Sequence, residues 1–161
     1  MKNKLIAIFA VLTMATACAP TEQAQPEDHT DHITVENAYV RATDEMSVMM
    51  DTLMTGVFFD ITNNHDEPVT LIGGGCQCAD SVEIHEVVGG VMQPKEGGLT
   101  IAGGATETLK PGGNHVMFIG LYEELIAGDE VTFLLEFSDG HVVEVTAPVK
   151  VVNLDQENYE K

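Results

Sequence analysis

The sequence predicts a single all-β domain, a β-sandwich or barrel, on three observations. From Ile33 onward, short runs rich in Val, Ile, Thr and Phe follow one another. Gly, Pro, Asn and Asp punctuate those runs at short intervals. The chain has no Trp, and its Val, Thr, Gly and Phe are spread through the second two-thirds, which favours many short strands over long helices. A length of 161 residues suffices for one domain with a real core and is short for two.

The elements follow in order. "ITVENAYVRA" alternates in part and opens the domain at Ile33. "MTGVFFDITN" is the next strand, "NNHDEP" the turn after it, and "VTLIGGG" the strand beyond. "VEIHEVVGGVMQ" is a hairpin: two glycines suit the positive φ of a two-residue turn. "TETLKPGG", "HVMFIGL", "VTFLLEFSDG" and "HVVEVTAPVKVV" complete the set, the last two joined through "SDG". Strands of this length and spacing suit a sandwich or barrel, and no repeat suggests a solenoid. Residues 33–152 form the domain and 153–161 a polar tail.

The segment ahead of the domain has a different build. Residues 1–17 combine a basic start, an apolar run from Leu5 and small residues at the end, the pattern of an export signal. The run is too short to span a bilayer permanently. Ala15, Thr16 and Ala17 lead into Cys18, as in a bacterial lipobox, where the cysteine receives lipid and becomes the new N-terminus. The expectation is an exported cell-envelope lipoprotein facing the extracytoplasmic side, with plain secretion as the alternative. Residues 18–32 are polar and without periodicity, and read as a flexible tether. His29 and His32, beside Asp28 and Asp31, could hold a divalent metal weakly or be simply solvated.

Loss of the signal, with Lys2 and Lys4, takes the net charge from −19 to −21. Nucleic acid is excluded as a partner at that charge. The acidity serves solubility, or provides an attractive field for cations.

The chemistry concentrates in two strand segments. A turn at Gly89-Gly90 sets Val88 opposite Val91 and Val87 opposite Met92. Residues two apart share a face, so His85, Val87 and Met92 lie on one side, His85 and Met92 as diagonal neighbours. By the same rule His115 and Met117 share a side. Two imidazoles and two thioethers make a soft donor set. It suits Cu(I) and lacks the hard oxygens that Ca²⁺ or Mg²⁺ prefer.

"VEIHEVV", "GVMQPKEGGLTIAGG" and "LKPGGNHVMFIGL" together resemble the PCuAC family of extracytoplasmic copper(I) chaperones. "NAYVRAT", "MTGVFFDITNN" and "AGDEVTFLLEFSDG" are similar to the family's other blocks, so the resemblance runs from about Ile33 to Val152. It implies a cupredoxin-like Greek-key sandwich. It also implies Cu(I) bound near the surface by His85, Met92, His115 and Met117, and delivery to the binuclear copper centre of a haem-copper (cytochrome c) oxidase during its assembly. One departure is visible: the family commonly has a longer spacer between the first His and Met than the six residues here. The shortening falls at the hairpin tip, and an equal change in both arms keeps each residue on its side.

Further soft donors lie outside that set. Met46, Met49 and Met50 in "DEMSVMMDTLM" are candidate auxiliary copper ligands, whereas Met54 starts a strand. Cys76 and Cys78 in "GGGCQCAD" lack zinc-finger spacing. A second Cu(I) site, a redox switch and two independent small residues are all open for them. A blue-copper carrier would need a Cys among its last ligands, and none follows Cys78. No nucleophile–base spacing suggests an enzyme. The rivals are a copper-scavenging lipoprotein using the same site and a metal-free structural sandwich.

Overall fold

The structure is a computed structural model, and it describes residues 32–43 and 53–152. Ten strands run in chain order as β1 (Ile33–Arg41), β2 (Met54–Asn63), β3 (Val69–Cys76), β4 (Ala79–Val88), β5 (Val91–Pro94), β6 (Leu99–Ile101), β7 (Thr106–Leu109), β8 (His115–Leu121), β9 (Glu130–Phe137) and β10 (Val142–Lys150). The described residues contain no α-helix. The expected strands are all present. The three-residue β6 is additional: it is too short to carry a period of its own and forms by pairing with β3, Leu71 opposite Leu99.

The sheet order is β5-β4-β8-β2-β1-β10-β9-β3-β6, with β7 attached to β2. A further pairing of β3 with β4, Gly74 opposite Val82, closes the wall on itself. The result is a flattened barrel, the closed form of the predicted sandwich. The β1–β10 pairing is parallel and the others are antiparallel. Closure depends on the "GGG" run. A Cβ on Gly74 would stand 2.0 Å from the Leu134 carbonyl oxygen, so β3 can lie against its neighbours only with glycine there.

Period-two patterning decides what faces inward. In β9, Val131, Phe133, Leu135 and Phe137 are buried and the residues between them exposed. Phe118 from β8 meets Phe133 from β9 edge to face, 5.4 Å between centroids, so the two walls pack directly. Val57, Phe59 and Ile61 of β2 and Val82 and Ile84 of β4 join them.

β8 breaks that pattern in an informative way. Its residues His115, Val116, Met117 and Phe118 are all buried, although alternate ones must point out of the barrel. Something therefore covers the outer face of β8, and the candidate site is found there.

Candidate metal site

β4 and β8 pair antiparallel, with His85 directly opposite His115 and Glu83 directly opposite Met117. Gly56 of β2 flanks Met117 on the other side. Since Ile84 and Val116 face the core, these residues face outward. The β4–β5 hairpin has the expected register: Val88 opposite Val91, Val87 opposite Met92, with φ of 59° at Gly89 and 80° at Gly90. The hairpin brings Met92 over the outer face of β8, where its Sδ lies 3.3 Å from Nε2 of His115.

Pro111 and Gly112, ahead of β8, and Arg41 from β1 complete a small recess with Met92, His115 and Met117. Phe58 forms one wall, its ring centroid 6.1 Å from that of His115. Gly56 admits that ring: a Cβ at Gly56 would stand 2.7 Å from the Phe58 tip. His85, His115 and Met117 retain 8%, 3% and 4% of their exposure, while Met92 retains 40%. Three donors are thus enclosed and one stands at the surface.

The hydrogen bonds fix which ring nitrogens can act as donors to a metal. Nδ1–H of His115 donates to the Gly113 carbonyl at 2.9 Å. That tautomer puts the Nε2 lone pair toward the Met92 sulfur, so two lone-pair donors face each other. Nε2–H of His85 donates to the Glu83 carboxylate at 3.1 Å. Nδ1 of His85 is buried with no hydrogen-bond partner among the described residues. A buried polar nitrogen in that state carries a desolvation cost that bonding to a cation removes. Each imidazole is anchored through one nitrogen, the usual arrangement for a metal-ligating histidine. His85 and His115 stand 5.8 Å apart between centroids. The arrangement has the chemistry to hold one soft monovalent cation.

Glu83 and Phe58 belong to this site and were not among the candidates from sequence. The signal for Glu83 was available: Glu-x-His in a strand puts both on one face. Glu83 is oriented in turn by Ser81, whose hydroxyl donates to it at 3.2 Å. Glu83→Gln should lower Cu(I) affinity roughly 10–100-fold without unfolding the chain, because it weakens the group that aims His85. Anaerobic competition with a chromogenic chelator reads this; unchanged affinity would remove Glu83 from the site.

The other candidates lie elsewhere. Cys76 and Cys78 are joined by a disulfide, so neither offers a thiolate in this state. Cys78 precedes the start of β4, and His85 lies six residues into that strand, roughly 20 Å away along it. The cysteines therefore do not join His85 and His115. They border a broad acidic groove also lined by Glu123, Glu124, Asp129 and Glu130, which contains no imidazole or thioether. Cys18, Met46, Met49 and Met50 lie outside the described residues, as do the signal segment and the C-terminal tail.

Comparison with known proteins gives a consistent family. The family model described as LpqE-like, "Putative lipoprotein LpqE-like", matches residues 33–149. "Putative lipoprotein Lxx21020" of Leifsonia xyli subsp. xyli is 33% identical over 159 residues, 94% of this chain and 92% of that protein. Among solved structures, the copper-bound PCuAC domain from PmoF2 superposes with a TM-score of 0.62 at 22% identity, covering 75% of this chain and 94% of that one. The Cu(I) form of DR1885 from Deinococcus radiodurans gives 0.58 at 30% identity, covering 72% and 76%. The chain belongs to the LpqE-like family, and its domain is built on the PCuAC fold.

Proposed function

We propose that the chain is an extracytoplasmic copper carrier. It holds one Cu(I) on His85, Met92, His115 and Met117 and delivers it to the copper centre of a haem-copper oxidase. The observation that carries this reading is the pair of anchored imidazoles: a buried Nδ1 of His85 without a partner, and a His115 Nε2 turned to the Met92 thioether. Imidazole and thioether together favour Cu(I) over harder ions. Structural neighbours described as copper-bound and as a Cu(I) form support the same metal.

Asymmetric exposure supports carriage over permanent storage. Met92 on the hairpin is the one exposed donor, so an incoming ligand can replace it without displacing what covers the other three. Charge supports a docking role. Three of the four Lys and Arg side chains among the described residues, Arg41, Lys110 and Lys150, lie on or beside the elements that build this site on a strongly acidic chain, while Lys95 is paired with Glu86 on the other face of the hairpin. Arg41 lines the recess. Lys110 precedes the Pro111–Gly112 loop, and Lys150 lies 5.3 Å from the Tyr39 ring centroid, behind Phe58. An acceptor with acidic surface around its copper entry would be drawn to this face first.

Export by residues 1–17 and lipid on Cys18 would tether the carrier to the membrane that holds the oxidase. The test is transfer. Chain loaded with one Cu(I) is mixed anaerobically with the copper-free dinuclear-centre domain of an oxidase, and the copper in each protein is measured after separation. Delivery predicts movement of copper to the acceptor. Tight binding without movement would identify a scavenger, and no tight binding a structural sandwich.

A further inference from the structure

The Cys76–Cys78 disulfide contributes little to folding. Gln77 alone separates the two cysteines, so the bond closes a very short loop and removes little freedom from the unfolded chain. The backbone is already held on both sides of it. Cys76 pairs with Phe133 in the β3–β9 ladder, and the Cys78 carbonyl accepts from the Tyr122 amide at 3.0 Å. The copper site does not use the bond either, since His85 lies roughly 20 Å further along β4. What remains is its own chemistry, and the surroundings define that chemistry.

The two sulfurs are not equivalent. The Cys78 amide donates to Sγ of Cys76 at 3.1 Å. The Thr132 carbonyl oxygen stands 3.8 Å from the same sulfur. An N–H aimed at a sulfur stabilises it as a thiolate, and a carbonyl beside it accepts from it as a thiol. Cys76 is therefore the better leaving group and Cys78 the sulfur to be attacked. The groove selects the attacker. Glu123, Glu124, Asp129, Glu130 and Glu144 are exposed along it, and no Lys, Arg or His of the described residues lines it. Ile126 and Leu134 add apolar surface, 63% and 37% exposed. The attacking species is a thiolate, an anion. Five carboxylates repel a small anionic thiol and draw in a thiolate carried on a cationic body.

We propose that this groove is a thiol–disulfide exchange site for a basic polypeptide that bears two cysteine thiols. One partner thiol loses its proton to water, and its sulfur bonds to Sγ of Cys78. The Cys76–Cys78 bond breaks, and Cys76 leaves as a thiolate that takes up a proton. The second partner thiol then loses its proton and attacks the partner sulfur of the mixed disulfide. Cys78 leaves and is protonated in turn. Two electrons and two protons have passed from the partner to the cysteine pair, and the partner holds the disulfide. Each oxidised chain oxidises one partner, and no other oxidant takes part. The acidic groove and the copper site with Arg41 and Lys110 carry opposite charge, so two different partners can be drawn to one chain.

The test uses the full chain with Cys18→Ser, which leaves Cys76 and Cys78 as its only cysteines. Two peptides share one Cys-x-x-Cys segment and differ in their flanks, lysine in one and glutamate in the other. Reduction of the chain is quenched with N-ethylmaleimide and read by mass. Each rate is divided by that of the same peptide on neutral hydroxyethyl disulfide, which removes differences in thiol reactivity. The basic peptide should then react at least roughly tenfold faster than the acidic one. Glu123→Gln with Glu130→Gln, both exposed, should remove most of that advantage, and so should salt at about 1 M on the unaltered chain. A basic peptide with a single cysteine should be trapped on Cys78. Equal corrected rates for the two peptides overturn the proposal, as does an advantage that survives both the double variant and high salt. An adduct on Cys76, or a disulfide that neither peptide reduces in the folded chain, overturns it equally.

Discussion

Replacing His115 by alanine should remove the tightest Cu(I) equivalent. Chelator competition under anaerobic conditions should show affinity falling by on the order of a thousandfold, about 4 kcal/mol. His115 sits where three constraints meet. It pairs with His85 across the β4–β8 seam, faces the Met92 sulfur, and packs beside Phe58. Its loss takes a nitrogen donor from the set and leaves Met92 with nothing to meet. His65→Ala, beyond the far end of β2, should leave this Cu(I) equivalent unchanged. Equal losses in the two variants would mean that Cu(I) is held by scattered imidazoles and not by this site. Fold integrity is read separately by thermal melting. His115 lies outside the core packed around Phe118 but is itself buried and bonded to Gly113, so a modest fall in melting temperature is expected without loss of the folded state.

Much of this site was legible in the sequence because strands have a rigid period of two. "VVGGVM" carries its own register: two glycines at positive φ force Val87 opposite Met92. His-x-Met in one strand leaves no choice of face. What the sequence could not supply is which strands lie side by side. His85 and His115 are thirty residues apart, and their direct pairing depends on β8 inserting between β4 and β2. That is a property of the whole barrel. The burial of the outer face of β8 was hidden for the same reason, since it depends on a hairpin and a loop that are each polar or glycine-rich on their own. Glu83 was within reach of the period-two rule, but carboxylates are so abundant in this chain that none stands out. The ring contacts of His32 with His65 and His141 are still less visible: His32 precedes the domain's first strand, and the other two lie in turns with no period at all. The same limit explains β6, whose three residues acquire strand structure only from β3.

Exchanging Val91 and Met92, as Val91→Met with Met92→Val, should cost about as much Cu(I) affinity as Met92→Ala, roughly 10–100-fold by analogy with the loss of a supporting group at a metal site. The exchange keeps composition, and valine suits a strand at least as well as methionine. Both positions are exposed, at 63% and 40%, so no core contact is lost and the melting temperature should not change. What changes is the face: position 91 lies opposite Val88 and position 92 opposite Val87, on opposite sides of the hairpin. The thioether therefore leaves His115 although it moves by one residue. If affinity survives the exchange but falls in Met92→Ala, the shortened hairpin must twist enough to present either position, and the register gives no control over the site. If neither variant matters, the ion rests on His85, His115 and Met117 alone, and Met92 is a cover for the site and not a ligand. A matching loss in both variants ties the affinity to the two-glycine turn. The shortened hairpin would then still place its methionine where a longer one does, because only the parity of the register decides the face.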